Sequence, residues 1–127
     1  MKQTLMKLDT LNKNGRIYTT ESVNKAIQEA NDKSEKGQLL GELGYGNVVD
    51  IDLKNVSHKI SELKIEDNSV VGEIEILDTP SGNKLKDILD QVVFRPRGTG
   101  NINDKGEVEN FKIISFDAIS KHEDAFK

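Results

Sequence analysis

The feature that most constrains this chain is a run of alternating apolar and polar residues broken once by a turn. Val56, His58 and Ile60 alternate with polar neighbours, and Leu63 and Ile65 continue the apolar pattern after a one-residue shift. Glu66-Asp67-Asn68-Ser69 then has the composition of a hairpin turn. Beyond it Val70, Gly72, Ile74 and Ile76 alternate with Val71, Glu73, Glu75 and Leu77. Successive side chains of a strand point to opposite faces, so the stretch predicts an antiparallel hairpin, and the shift before Leu63 predicts a β-bulge.

The flanking segments fit around that hairpin. Residues 2–9 place Leu5, Met6 and Leu8 among polar neighbours and predict a first strand, and Asn12 to Gly15 is a turn-forming run. Thr19 or Thr20 is suited to cap a helix with Glu21 in its first turn, where a negative charge suits the helix dipole. Val23, Ala26, Ile27 and Ala30 follow at helical spacing, and the helix should end near Gly37. After the hairpin, Thr79 as N-cap and Pro80 at the first helical position start a second helix, with Leu85, Ile88, Leu89 and Val92 on its buried face. Val92 to Arg97 returns to extended chain, Gly98 to Gly106 reads as a loop, and Glu107 to Ala118 predicts a last strand with apolar residues on both faces. There is no alternating strand–helix rhythm. The expected fold class is α+β, a small, mostly antiparallel β-barrel with flanking helices, in a single domain spanning residues 1–127.

Composition narrows the function classes. The 18 basic and 22 acidic residues are scattered, with a net charge of -4 and no basic stripe, which argues against a nucleic-acid partner. With no cysteine there is no disulfide or thiolate metal site. The first ten residues lack the apolar stretch of a signal peptide, and no window approaches the roughly 18 apolar residues of a membrane span. The expectation is a soluble, unexported chain without a membrane partner.

Catalytic chemistry is sparse when read from the residues alone. The only histidines are His58 and His122. A hydrolase needs a nucleophile within hydrogen-bond reach of a base. Strict alternation puts Ser57 and His58 on opposite faces, so they are not expected to pair, and His58 reads as a satisfied strand histidine. His122 lies in a charged tail. No spacing matches a zinc or calcium loop, and Gly98-Thr99-Gly100 does not open a helix as a phosphate cradle would, so neither metal nor cofactor is expected. On its own this reading ends at an α+β domain with no evident active site.

Several stretches resemble the prohead core proteases of tailed phages, relatives of the herpesvirus assembly protease. Asn14-Gly15-Arg16-Ile17-Tyr18 resembles the family's N-G-R-x-Y, and Gly41-Glu42-Leu43 the start of G-E-L-D-H-P. Val56-Ser57-His58-Lys59-Ile60 resembles V-S-H-x-I, and residues 71–82 resemble V-x-G-x-x-x-I-L-D-T-P-x-G. Arg97-Gly98 with Gly100 resembles the tail of S-S-R-G-x-G, and Phe116-Asp117-Ala118-Ile119-Ser120 the closing F-D-x-V-S. The matches keep their order over about residues 12–120 and imply the prohead-protease fold.

The same resemblance implies a general base at the histidine of G-E-L-D-H-P and a nucleophile at a serine of S-S-R-G. Here Tyr45 stands in the histidine's place, Gly44 replaces the aspartate, and Arg95-Pro96 stand where the serines belong. A phenol with a pKa near 10 is a poor base at neutral pH. The expectation is therefore not an enzyme but a pseudoprotease: a noncatalytic, capsid-associated subunit of the virion, auxiliary, decorating or head-assembling. It would be made in the host cytoplasm and dock in multiple copies on the major capsid protein or other phage head proteins. Arg95 and Arg97 are read either as a cationic surface for acidic groups of such a partner or as exposed charges beside a loop. Two other readings stay open: proteolysis with His58 as base and Thr99 as a displaced nucleophile, and regulation of an active protease.

Overall fold

A computed structural model describes residues 1–46 and 50–126. The strands are β1 (Lys2–Lys7), β2 (Ile17–Tyr18), β3 (Leu40–Glu42), β4 (Val56–Glu66), β5 (Ser69–Ile76), β6 (Val92–Ile102) and β7 (Glu107–Ser120), and the helices are α1 (Thr20–Glu35) and α2 (Pro80–Asp87). One sheet runs in the order β1-β5-β4-β3 and the other β2-β7-β6. Among the described residues all pairings between strands are antiparallel except the short one between β2 and β7. The expected α+β class holds, with the strands curled into a half-barrel. At one seam Leu43 bridges to Ala118 beyond the end of β3; at the other the Arg95 guanidinium on β6 donates to the Thr4 carbonyl on β1 at 2.9 Å.

The hairpin forms as its pattern requires. Glu66 pairs with Ser69 across Asp67-Asn68, and the register shifts between Ser61 and Lys64, with Glu62 at φ 53°. Thr19 caps α1 by accepting from the Ser22 amide at 3.3 Å, and Val23, Ala26, Ile27 and Ala30 are its buried residues. Gly37, at φ 69°, closes it by donating to the Ser34 carbonyl at 2.8 Å. That left-handed conformation costs glycine nothing. These apolar residues of α1 join Leu5, Leu8, Leu39, Ile60, Val70, Ile74, Phe94, Phe111 and Phe116 in the core between the sheets.

Three expectations need correction. Residues 98–102 are strand, not loop: β6 continues to Ile102, opposite Val108. Glycine reads as a breaker in sequence, but here it lets two backbones close up, since a Cβ at Gly98 would overlap the Lys112 carbonyl. β7 is covered on both faces only from Ser115 to Ile119; nearer its start Lys112 is exposed between buried Phe111 and Ile113. The second helix also stops at Asp87, short of Leu89 and Val92, which pack at the core's margin instead.

α2 is pinned by its cap. Thr79 Oγ1 accepts from the Gly82 amide at 2.9 Å and donates to the Val56 carbonyl at 2.6 Å, so one hydroxyl holds both the helix start and the first residue of β4. Thr79→Ala removes both bonds and should lower unfolding free energy by about 1–2 kcal/mol, read as a reduced urea midpoint at unchanged slope.

Candidate active site

The fold brings the two segments singled out by the resemblance to the same residues of β7. On one edge Arg95 pairs with Asp117 and Pro96 with Phe116. On the other, the Glu42 amide donates to Asp117 Oδ1 at 3.0 Å and the Gly44 amide to the Ala118 carbonyl at 2.6 Å. Positions 45 and 95–96 therefore flank residues 116–118. Tyr45 is 47% exposed. Partial burial of its hydroxyl, then the nearby Asp117, Tyr18 and Asp124 charges, outweigh the Arg95 cation and push the phenol up to about 12, so it holds its proton at neutral pH.

The two guanidiniums that the sequence offered to a partner are engaged within the chain. Arg97 is 8% exposed. Its Nε donates to Asp117 Oδ2 at 2.8 Å, its Nη2 to Glu42 Oε2 at 2.8 Å and to Asp117 Oδ1 at 3.2 Å, and its Nη1 to the Asp50 carbonyl at 3.1 Å. The carboxylates are held in turn: Ser115 Oγ donates to Asp117 Oδ1 at 3.0 Å, the Asp52 amide to Glu42 Oε2 at 3.1 Å and Asn55 Nδ2 to Glu42 Oε1 at 3.3 Å. Arg95 makes a fork with Asp124, Nε to Oδ1 at 2.7 Å and Nη2 to Oδ2 at 2.9 Å, with Phe126 beneath its guanidinium. Burial pushes the Asp124 carboxyl up, but the Arg95 fork, the Phe126 amide and the Arg95 and Lys7 charges prevail and hold it below its usual value.

His58 and Ser57 require the main local correction. Both are fully buried, and Ser57 Oγ lies 2.7 Å from His58 Nδ1. Alternation fails here because of a second bulge. Gly41 pairs with His58 and Glu42 with Val56, so β4 advances two residues while β3 advances one, and the intervening Ser57 is re-aimed beside the histidine. His58 Nε2 lies 2.7 Å from the Phe116 carbonyl, which only accepts. That assigns the ring proton to Nε2 and leaves Nδ1 to accept from the Ser57 hydroxyl. Burial pulls the His58 pKa down, against the Phe116 carbonyl and the Asp117 charge, so the imidazole stays neutral. It packs edge-on to Phe94 at 4.9 Å, and Gly41 lies so close that any Cβ there would overlap the ring.

Thr99, the displaced nucleophile considered from sequence, is exposed and pairs with Lys112, four positions along β7 from the Phe116 carbonyl that holds His58, or about 13 Å. The structure does not bring Thr99 to His58. His122 sits in a short 3-10 turn after β7, its amide donating to Ser120 Oγ at 3.2 Å. Sequence reasoning missed Ser57 as a partner of His58 and missed Glu42, Asp117 and Asp124 as partners of the arginines. Glu42 and Asp117 lie inside G-E-L and F-D-x-V-S, which is the signal that would have found them.

The half-barrel thus encloses one buried hydroxyl–imidazole contact among the described residues. A family model for the prohead core protein serine proteases matches residues 1–118, and the chain belongs to that family. The solved structure of the bacteriophage T4 capsid assembly protease, gp21, superposes with a TM-score of 0.78 over 94% of this chain and 80% of that one, at 21% identity. No curated protein matches the chain. These findings overturn the expectation, drawn from Tyr45, Arg95 and Pro96, that the chain is not an enzyme. The family it belongs to is one of serine proteases, and the protein whose fold it shares is a capsid assembly protease.

Two outcomes follow from the site's electrostatics. Asp117→Asn leaves the buried Arg97 charge under-compensated and should cost about 3 kcal/mol in denaturant unfolding. The second concerns His58. Its folded pKa lies below the ordinary imidazole value of 6.5, so the unfolded state binds the proton first. Its contribution is complete above that value and is lost as pH falls toward the depressed folded pKa. The urea midpoint should drop as pH falls from about 7 through the ordinary imidazole range, and this drop should shrink in His58→Gln.

Proposed function

We propose that this chain hydrolyses peptide bonds of phage head proteins during prohead assembly, as a serine-type protease with an atypical hydroxyl–base pair. The observation that carries the reading is the 2.7 Å contact between Ser57 Oγ and His58 Nδ1, with His58 Nε2 held by the Phe116 carbonyl. This is the arrangement that nucleophilic acyl transfer needs: a hydroxyl on a neutral imidazole nitrogen, and the other nitrogen fixed by a third group. It is also the one side-chain hydroxyl found on a histidine ring among the described residues. Tyr45, Arg95 and Pro96 supply neither imidazole nor aliphatic hydroxyl.

In this reading Ser57 Oγ attacks the scissile carbonyl while His58 Nδ1 takes its proton. The leaving amine then departs with that proton, and water hydrolyses the acyl ester with the same histidine as base. Because the pair is covered by Gly41 and by β7, a substrate carbonyl reaches Ser57 only when the short strand β3 parts from β4. Activity is thereby tied to a change that a docked head protein would supply, and the enzyme works at the prohead rather than free.

The test is labelling with a fluorophosphonate probe, with and without the phage's assembling head proteins, followed by peptide mapping. Expected is an adduct on Ser57, head-protein cleavage in the same samples, and loss of both in a Ser57→Ala variant that unfolds cooperatively. Cleavage unchanged in Ser57→Ala, or neither adduct nor cleavage in assembling heads, overturns the assignment.

A further inference from the structure

β7 has one free stretch of edge. Along one side it is hydrogen-bonded to β6. Along the other, β2 covers only Glu107 and Val108, and the next backbone pairing is the bridge of Leu43 to Ala118. Between those points no backbone hydrogen bond reaches β7 from α1 or from any other described element outside its strand pairings. The free stretch is also bulged. Asn101 pairs with Glu109 and Thr99 with Lys112, so two residues of β7 oppose Gly100 alone, and Asn110 sits at φ 53°. Unpaired strand edges are templates for another chain unless they are covered or charged.

A groove of about 550 Å³ runs beside this edge, between α1 and β7. One wall carries Glu21, Lys25 and Glu29, spaced four apart so that they form one stripe of α1; the other carries Glu107, Glu109 and Lys112. Carboxylates outnumber ammonium groups by four to two, and none of the four takes part in an ion pair among the described residues. Glu107 and Glu109 accept from the neutral Asn103 amide at 2.9 and 2.8 Å, which leaves their charge uncompensated. Ser22 Oγ, also lining the groove, is the one buried side-chain polar atom without a hydrogen-bond partner among the described residues. Such a group normally finds a partner.

We infer that this groove docks an extended, lysine- or arginine-bearing segment of a partner protein, added as a strand to β7 at Glu109–Lys112. Strand addition supplies main-chain hydrogen bonds to the free edge, and alternate side chains of the incoming segment meet the carboxylates of both walls. The same carboxylates repel nucleic acid. The groove lies four or more residues along β7 from Phe116, about 13 Å or more, so docking there is separable from chemistry at Ser57.

The test titrates isotope-labelled protein with acetyl-Lys-Val-Arg-Val-Lys-Val-amide and with its acidic counterpart, in which Glu and Asp replace Lys and Arg, following amide shifts and hydrogen exchange. Expected are shifts and slowed exchange centred on residues 109–112. The acidic peptide should bind at least about fivefold more weakly, and a Glu29→Lys, Glu109→Lys double variant should reverse the preference. A basic peptide N-methylated at alternate residues should lose most of the affinity. Equal affinity for the two peptides, undiminished binding of the N-methylated one, shifts centred elsewhere, or no binding at all overturns the inference. None of these readouts depends on proteolysis, so the docking groove and the hydrolytic pair stand or fall separately.

Discussion

The buried guanidinium of Arg97 is the interaction on which the rest of the site depends. It lies 55 residues from Glu42 and 20 from Asp117 in sequence, yet donates to both. Taking an arginine out of water costs several kcal/mol unless its donors are filled and its charge is opposed. Here β7 supplies one carboxylate, the end of β3 the other, and the Asp50 carbonyl a further acceptor. The cluster thereby fixes the path of the chain after β3. That path carries the Gly44 amide onto Ala118 and leaves Tyr45 beside the Arg95–Asp124 pair. At Gly46 a Cβ would overlap the Arg97 guanidinium, so the backbone there follows the cation closely.

This frame explains how a chain can keep a family's architecture while changing the groups at its implied catalytic positions. Glu42, Arg97 and Asp117 belong to three separate motifs shared with the prohead proteases, and they converge on one ion cluster. Their constraint is electrostatic and steric, and it does not involve the side chains at positions 45, 95 and 96. Arg95 turns away from Arg97 to a partner of its own, Asp124, so the two like charges on one strand are each opposed by a carboxylate. What remains free to vary is the chemistry hung on the frame. The one hydroxyl–imidazole contact among the described residues is made by a bulge in β4, where the pairing with β3 gains a residue.

How much of this was legible in the sequence follows from the range of the interactions involved. The caps at Thr19 and Thr79, the buried stripe of α1 and the turn at Asp67-Asn68 are set by residues within a few positions of one another, and local pattern is enough to read them. The bulge at Ser57 arises from pairing with a strand 15 residues earlier, so alternation within β4 alone gives the wrong face for the serine. Residues 98–102 looked like loop for the related reason that glycine's local preference says nothing of the close approach to β7 that makes it necessary there. Arg95 and Arg97 looked like surface charges because their partners lie far off in sequence; only the motif membership of Glu42 and Asp117 hinted at the cluster.

β7 shows why the two ends of one strand carry different tasks. From Ser115 to Ile119 it is buried on both faces, and its edges are occupied by β6 and by the chain leaving β3. Any change there is felt by Arg97, His58 and the core together. From Glu109 to Lys112 the strand has lost its second neighbour, bulges away from β6 and presents exposed charge. A partner strand bound at the open end would meet unpaired backbone and charge there, four or more residues short of the Phe116 carbonyl that holds His58.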